Sequence, residues 1–154
     1  MKLTILAVGR LPRSSEVDLV KTYVDRATAG GRALGLGPVE VLEVESRKPG
    51  KAAEAEVIRP HLIGAHVIAC DERGTAYPSR AFAAELARIR DQGARRLVML
   101  IGGADGLDPD LLASVNGKLA FGPQTWPHAL ARVMLAEQIY RAVTILAGGP
   151  YHRD

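Results

Sequence analysis

Cysteine is nearly absent from this 154-residue chain, with Cys70 standing alone. That count excludes an internal disulfide framework, and a single thiol suits a reducing, cytoplasmic setting. Neither a CxxC pair nor a Cys/His set at ligand spacing occurs, so no metal is expected. Long apolar runs are missing too: nothing approaches the roughly 20 residues of a membrane-spanning helix, and no membrane association is expected. The opening MKLTILAVGRLPRSS places a lysine before an apolar run, but that run covers only residues 3–8. Arg10, Pro12 and Arg13 follow without a small-residue cleavage pattern, so the segment reads as a first strand rather than a secretory leader. Charge of one sign is not in strong excess either. A net charge of +3 and a pI of about 9.2 permit an acidic partner such as RNA without requiring one.

What the chain does contain is 47% hydrophobic residues, which suits one compact domain over residues 1–154. Short apolar runs at 3–8, 39–44, 67–70, 97–101 and, more weakly, 119–121 read as strands, several of them continuous rather than alternating. Helical patterns fill the intervals at 16–34, 52–62, 79–92, 109–115 and 128–146. Strands buried on both faces and alternating with helices predict an α/β fold with a mostly parallel sheet flanked by helices. The loop-like GGRALGLGP at 30–38 ends the first helix rather than dividing two domains. DERG at 71–74 reads as a loop after the third strand.

In GLDPDLL, Asp108 is placed to cap a helix whose first residue is Pro109, with Asp110 complementing the helix dipole. Upstream, MLIGGADG carries a buried strand into a glycine turn. Two readings stay open there: a tight turn that needs positive φ, or backbone left bare to approach a ligand at the carboxyl end of a parallel strand. Gly102, Gly103 and Gly106 do not form GxGxxG, and no GK[ST] follows.

The last helix, PHALARVMLAEQIYRAVTILAGG, is apolar on nearly every face, which predicts either burial all round or burial by the domain on one side and by a partner subunit on the other; so much apolar surface argues for a dimer. Glu137 and Arg141 stand four apart in the order that favours an ion pair. Arg132 falls among Ala136, Ile139 and Val143 and so needs a partner from elsewhere or a functional reason for burial. The tail PYHRD is either a solvated end or a segment held for chemistry, since tyrosine can stack on a base, histidine can handle a proton and arginine can hold phosphate.

IGGADG, TWPHALARVMLAEQIYRA and the terminal PYHRD occurring together on such a chain resemble the SPOUT methyltransferase superfamily. Within it, the chain resembles the small enzymes that methylate N3 of a pseudouridine in 23S rRNA of the large ribosomal subunit. The resemblance implies a homodimer with a C-terminal trefoil knot that binds S-adenosylmethionine (S-adenosyl-L-methionine). Carried over by motif, the cofactor pocket would comprise Cys70, Gly103, Gly122, Pro123, Gln124, Thr125, Trp126 and Pro127, largely through backbone. Tyr151, His152 and Arg153 would be active-site residues, with His152 the first candidate for assisting removal of the imide proton and His128 the second. Arg132, Arg141 and Arg153 would stabilise the developing anion or bind RNA, and SRKPGK would offer Arg47, Lys48 and Lys51 to phosphate. Methyl transfer to a ribose 2'-hydroxyl or another base, and a non-catalytic RNA-binding dimer, are the alternatives.

Overall fold

The computed structural model describes residues 1–153. Its strands are β1 (Lys2–Val8), β2 (Val39–Val44), β3 (His66–Thr75), β4 (Arg96–Ile101) and β5 (Gly117–Leu119). Its helices are α1 (Ser15–Gly31), α2 (Lys51–Leu62), α3 (Ser79–Asp91), α4 (Pro109–Ser114) and α5 (His128–Leu146). The strands form one sheet in the order β2-β1-β4-β3-β5, and all four pairings are parallel.

Side-chain alternation explains why the central strands β1 and β4 are almost wholly apolar, with Thr4 the buried exception in β1. Leu3, Ile5 and Ala7 of β1, with Leu97, Met99 and Ile101 of β4, pack under α1, α3 and α5. The intervening Leu6, Val8, Val98 and Leu100 pack under α2 and α4. A central strand covered on both faces has no side that can afford polarity. Steps toward β2 carry their helix on the first face and steps toward β5 on the second, so the four crossovers share one hand.

Local chemistry sets the helix ends. The Ser14 hydroxyl accepts from the Val17 amide, and the Asp108 carboxylate accepts from the Leu111 amide at 3.0 Å with Pro109 opening α4. The first helix stops at Gly31 instead of running to 34. A Cβ at Gly31 would stand 2.1 Å from the Leu36 carbonyl oxygen, and a short 3-10 turn at Arg32–Leu34 follows.

Two boundaries differ from the pattern expected of them. DERG is not a loop: β3 continues to Thr75 through a bulge, so Leu119 pairs with both Cys70 and Thr75. Gly74 permits this, because a Cβ there would lie 2.7 Å from the backbone of Lys118 and Leu119. The fifth strand is accordingly Gly117–Leu119 and not 119–121, with Gly117 and Lys118 recruited by backbone pairing to Ile68 and Ala69.

Arg132 has its partners at the opposite edge of the sheet. It is 2% exposed, its guanidinium pairs with Glu43 at the end of β2, and it donates to the carbonyls of Val8, at 3.1 Å, and Gly9. Glu43 also accepts from the Leu11 amide at 3.1 Å. The expected role for Arg132 in binding RNA or a reacting anion is therefore replaced by a structural one, because its charge is spent inside the fold. Arg132→Ala should destabilise the chain by about 3 kcal/mol in urea unfolding, since two buried carbonyls lose their donor.

Candidate active site

At the carboxyl edge of the sheet, the chain leaves β3 for α3 on one face and β4 for α4 on the other. Neighbouring strands that part in opposite directions leave a crevice between their ends. A cavity of about 450 Å³ occupies it, bounded by the end of β3, the turn after β4, the segment after β5 and the start of α5.

The turn after β4 is a closed structure. Gly103 and Gly106 form an antiparallel bridge, the Gly106 amide donates to the Gly103 carbonyl at 2.9 Å, and Gly106 has φ of 80°. A Cβ at Gly102 would stand 2.8 Å from Leu107 and 3.0 Å from the Gly106 carbonyl carbon; one at Gly103 would meet the Glu54 carboxylate at 2.7 Å. The tight-turn reading holds, and the turn also borders the cavity.

Of the pocket residues named from sequence, Cys70, Gly103, Gly122, Gln124, Thr125 and Trp126 line the cavity; Pro123 and Pro127 do not. His128 lines it as the first residue of α5, and its Nδ1 is buried with no hydrogen-bond partner among the described residues. Sequence reasoning missed Asp71, Glu72, Arg73, Asp105 and Phe121, which share the lining. A longer third strand was the missing signal for Asp71 to Arg73. Lys51, named from SRKPGK as a phosphate contact, is brought to the same lining by α2 from the other face of the sheet.

Burial pushes the Cys70 thiol up to about 12, so the side chain stays a neutral, weakly polar wall.

The tail forms a second cluster, built on the other half of α5. A turn at Gly148, with φ of 69° and the Gly149 amide donating to the Thr144 carbonyl at 2.8 Å, sends the chain back along the helix. The Tyr151 hydroxyl donates to Glu137 at 3.0 Å, Arg141 Nε donates to the same carboxylate oxygen at 3.0 Å, and Arg141 Nη1 meets His152 Nδ1 at 3.2 Å. Burial, then hydrogen bonding to Tyr23 and Glu137, push the Tyr151 phenol well above its ordinary range. Arg153 is exposed. None of these tail residues lines the cavity, and Arg141 lies about 20 Å along the helix axis from His128. Within one protomer the structure holds the tail but does not bring it to the glycine turn.

Between the two clusters the surface is apolar. Leu19, Tyr77, Trp126 and Leu130 are left exposed, and a second cavity of about 400 Å³ lies there, sharing residues 119–122 with the first. A largely apolar cavity with exposed apolar side chains beside it is a usual mark of an interaction surface.

A family model described as "Predicted SPOUT methyltransferase" matches residues 1–152. The chain is 77% identical over 154 residues to the ribosomal RNA large subunit methyltransferase H of Phenylobacterium zucineum, covering 100% of both chains. It is 55% identical over 155 residues to the protein of that name from Dinoroseobacter shibae, covering 99% of each. A solved probable methyltransferase from Bordetella pertussis superimposes with a TM-score of 0.53 at 16% identity, over 92% of this chain and 96% of that one. A probable methylase family protein from Haemophilus influenzae does so with 0.50 at 12%, over 99% and 70%. At those identities the solved structures bear on the fold alone.

With its thiol at about 12 against an ordinary 9.0, Cys70 should react with iodoacetamide at pH 8 about 1,000-fold more slowly than a free cysteine, and urea unfolding should abolish the difference. Mass-detected alkylation time courses give the comparison.

Proposed function

The chain belongs to the SPOUT methyltransferase family, and from that premise we propose that it is a cytoplasmic, homodimeric enzyme that uses S-adenosylmethionine to methylate N3 of a pseudouridine in 23S rRNA of the large ribosomal subunit. The supporting observation is the cavity at the carboxyl edge of β3 and β4, together with the names and full-length similarity of the relatives. The trefoil knot and the partner subunit's share of the site belong to the same proposal.

The residues present fit that cofactor. A volume of about 450 Å³ falls in the range of small-molecule sites. The glycine turn borders the cavity, with open space where a Cβ at Gly106 would stand, and Asp71, Glu72 and Asp105 put negative charge on a lining that Lys51 and Arg73 share. When bound, S-adenosylmethionine supplies a methyl group on a positively charged sulfur, and no metal is called for. The 102–106 turn and the 122–126 segment would hold it through backbone, while the acidic side chains complement its charge.

N3 of pseudouridine is an imide nitrogen, which becomes nucleophilic as its proton is withdrawn. The tail geometry supports one way for His152 to take part. A guanidinium only donates, so His152 Nδ1 accepts from Arg141, and the neutral ring carries its hydrogen on Nε2. His152 then offers an N–H to an imide oxygen and works beside Arg153 on the developing negative charge, instead of taking the proton. Proton removal would then pass to His128, which lines the cavity. Because the tail lies far along α5 from its own cavity, the partner's tail completes each site, and the exposed apolar face of Leu19, Tyr77, Trp126 and Leu130 is what the two copies bury. Arg47 and Lys48 on the exposed loop before α2, with Lys51 at the cavity, suit the RNA backbone.

Labelled S-adenosylmethionine offered with free 23S rRNA, the large subunit or the whole ribosome should methylate a pseudouridine at N3, read by mass mapping of the nucleoside. A 2'-O-methyl product, or no transfer to any of the three, would overturn the reading. His152→Ala should lower kcat by about 100-fold. His152→Gln, which keeps an N–H donor but has no basic nitrogen, should retain most of the turnover. Equal loss in both variants would return the proton-accepting role to His152.

A further inference from the structure

We propose that Tyr23 is a positioning residue for methyl transfer, holding the carboxyl-terminal residues through Tyr140 and Tyr151 in the orientation that the reaction uses. The inference rests on the functional reading above, in which His152 and Arg153 serve the reaction.

Helix α1 reaches the tail because it packs unusually close to α5. A Cβ at Gly30 would stand 3.0 Å from Val143, so any larger residue there would press on the seam between the two helices. Ala27, one turn away, is fully buried in the same seam. This packing sets the register of the pair and places the Tyr23 ring 6.0 Å from that of Tyr140, at 35°. Tyr140 in turn lies 4.6 Å from Tyr151, at 56°. Three tilted rings thus run from the first helix across the last one to the tail. Guanidiniums flank the row, with Arg26 at 6.0 Å from the Tyr140 ring and Arg141 at 4.9 Å from that of Tyr151.

After Gly149, Tyr151 is hydrogen-bonded to Glu137 and Tyr23, and His152 meets Arg141; Glu137 and Arg141 are themselves only partly buried. Such contacts do not by themselves keep a chain end from fraying. Each aromatic pair biases an order–disorder equilibrium roughly 2- to 12-fold, and rings carry few torsions to freeze. Ordering Tyr151 fixes Glu137, Glu137 fixes Arg141, and Arg141 sets the His152 ring. Tyr23 reaches the tail through this row and through its hydrogen bond to Tyr151, whereas the chemistry is assigned to His152 and Arg153, which makes Tyr23 a positioning group.

Tyr23→Leu removes the ring and the hydroxyl, while Tyr23→Phe removes the hydroxyl alone. For both full-length variants, amide hydrogen exchange at Tyr151 and His152 would be measured alongside kcat, S-adenosylmethionine affinity and dimer mass. Tyr23→Leu should exchange about 50-fold faster at the tail and Tyr23→Phe about fivefold faster. In Tyr23→Leu, kcat should fall about tenfold while cofactor affinity and dimer mass stay unchanged, and Tyr23→Phe should recover most of that loss. Wild-type tail exchange in Tyr23→Leu, or a loss of turnover that Tyr23→Phe does not relieve, would overturn the proposal. If Tyr23→Leu does not fold, Tyr23→Phe decides, and unchanged tail exchange overturns it. A wild-type chain that methylates nothing defeats the functional reading itself, a result separate from whether Tyr23 holds the tail.

Discussion

Helix α5 carries apolar side chains around nearly its whole circumference, and water cannot be left against so much of it. The fold answers this on one side only. Leu135, Ala136, Ile139, Ala142 and Val143 are buried against α1, α3 and the sheet, while Leu130 stays exposed and Val133 and Met134 line an open apolar cavity. The seat of that inner face determines everything else of interest. It puts His128 into the cavity wall at one end and starts the returning tail at the other.

Arg132 fixes the helix in that seat by an interaction that apolar packing cannot supply. Dispersion and burial tolerate small sliding motions along a helix axis, whereas a guanidinium held by a carboxylate and two carbonyls does not. The carbonyls come from Val8 and Gly9, where β1 ends, so the constraint ties the last helix to the first strand across more than a hundred residues of chain. A buried ion pair is not stabilising merely by being present, but it is specific in register, and register is what the tail geometry depends on.

The two polar clusters on α5 serve different ends of one proposed reaction. A bare-backbone cavity suits recognition of a small charged molecule; a lattice of Tyr, Glu, Arg and His suits the orientation of donors. Their separation along a single helix is the physical argument for a second copy, and the exposed apolar face between them is where that copy would sit. The neutral Cys70 and the glycines of the 102–106 turn are in keeping with a proposed site that binds by shape and backbone.

Much of the framework was legible in the residues. Unbroken apolar runs announced strands covered twice, Asp108 and Pro109 announced α4, and the spacing of Glu137 and Arg141 announced their pair. The polar half of β3 was not legible, because Asp71 to Thr75 join the sheet through backbone bonds and the space Gly74 leaves, neither of which has a hydrophobic signature. By itself the sequence determined the α/β class, the order of the elements and the glycine turn, since these follow from periodicity and local sterics. Only the tertiary structure decided that Lys51 and Asp105 share a wall, that Glu43 answers Arg132, and that Tyr23 meets the tail. Those meetings depend on how distant segments cross in space, and no pattern along the chain encodes a crossing.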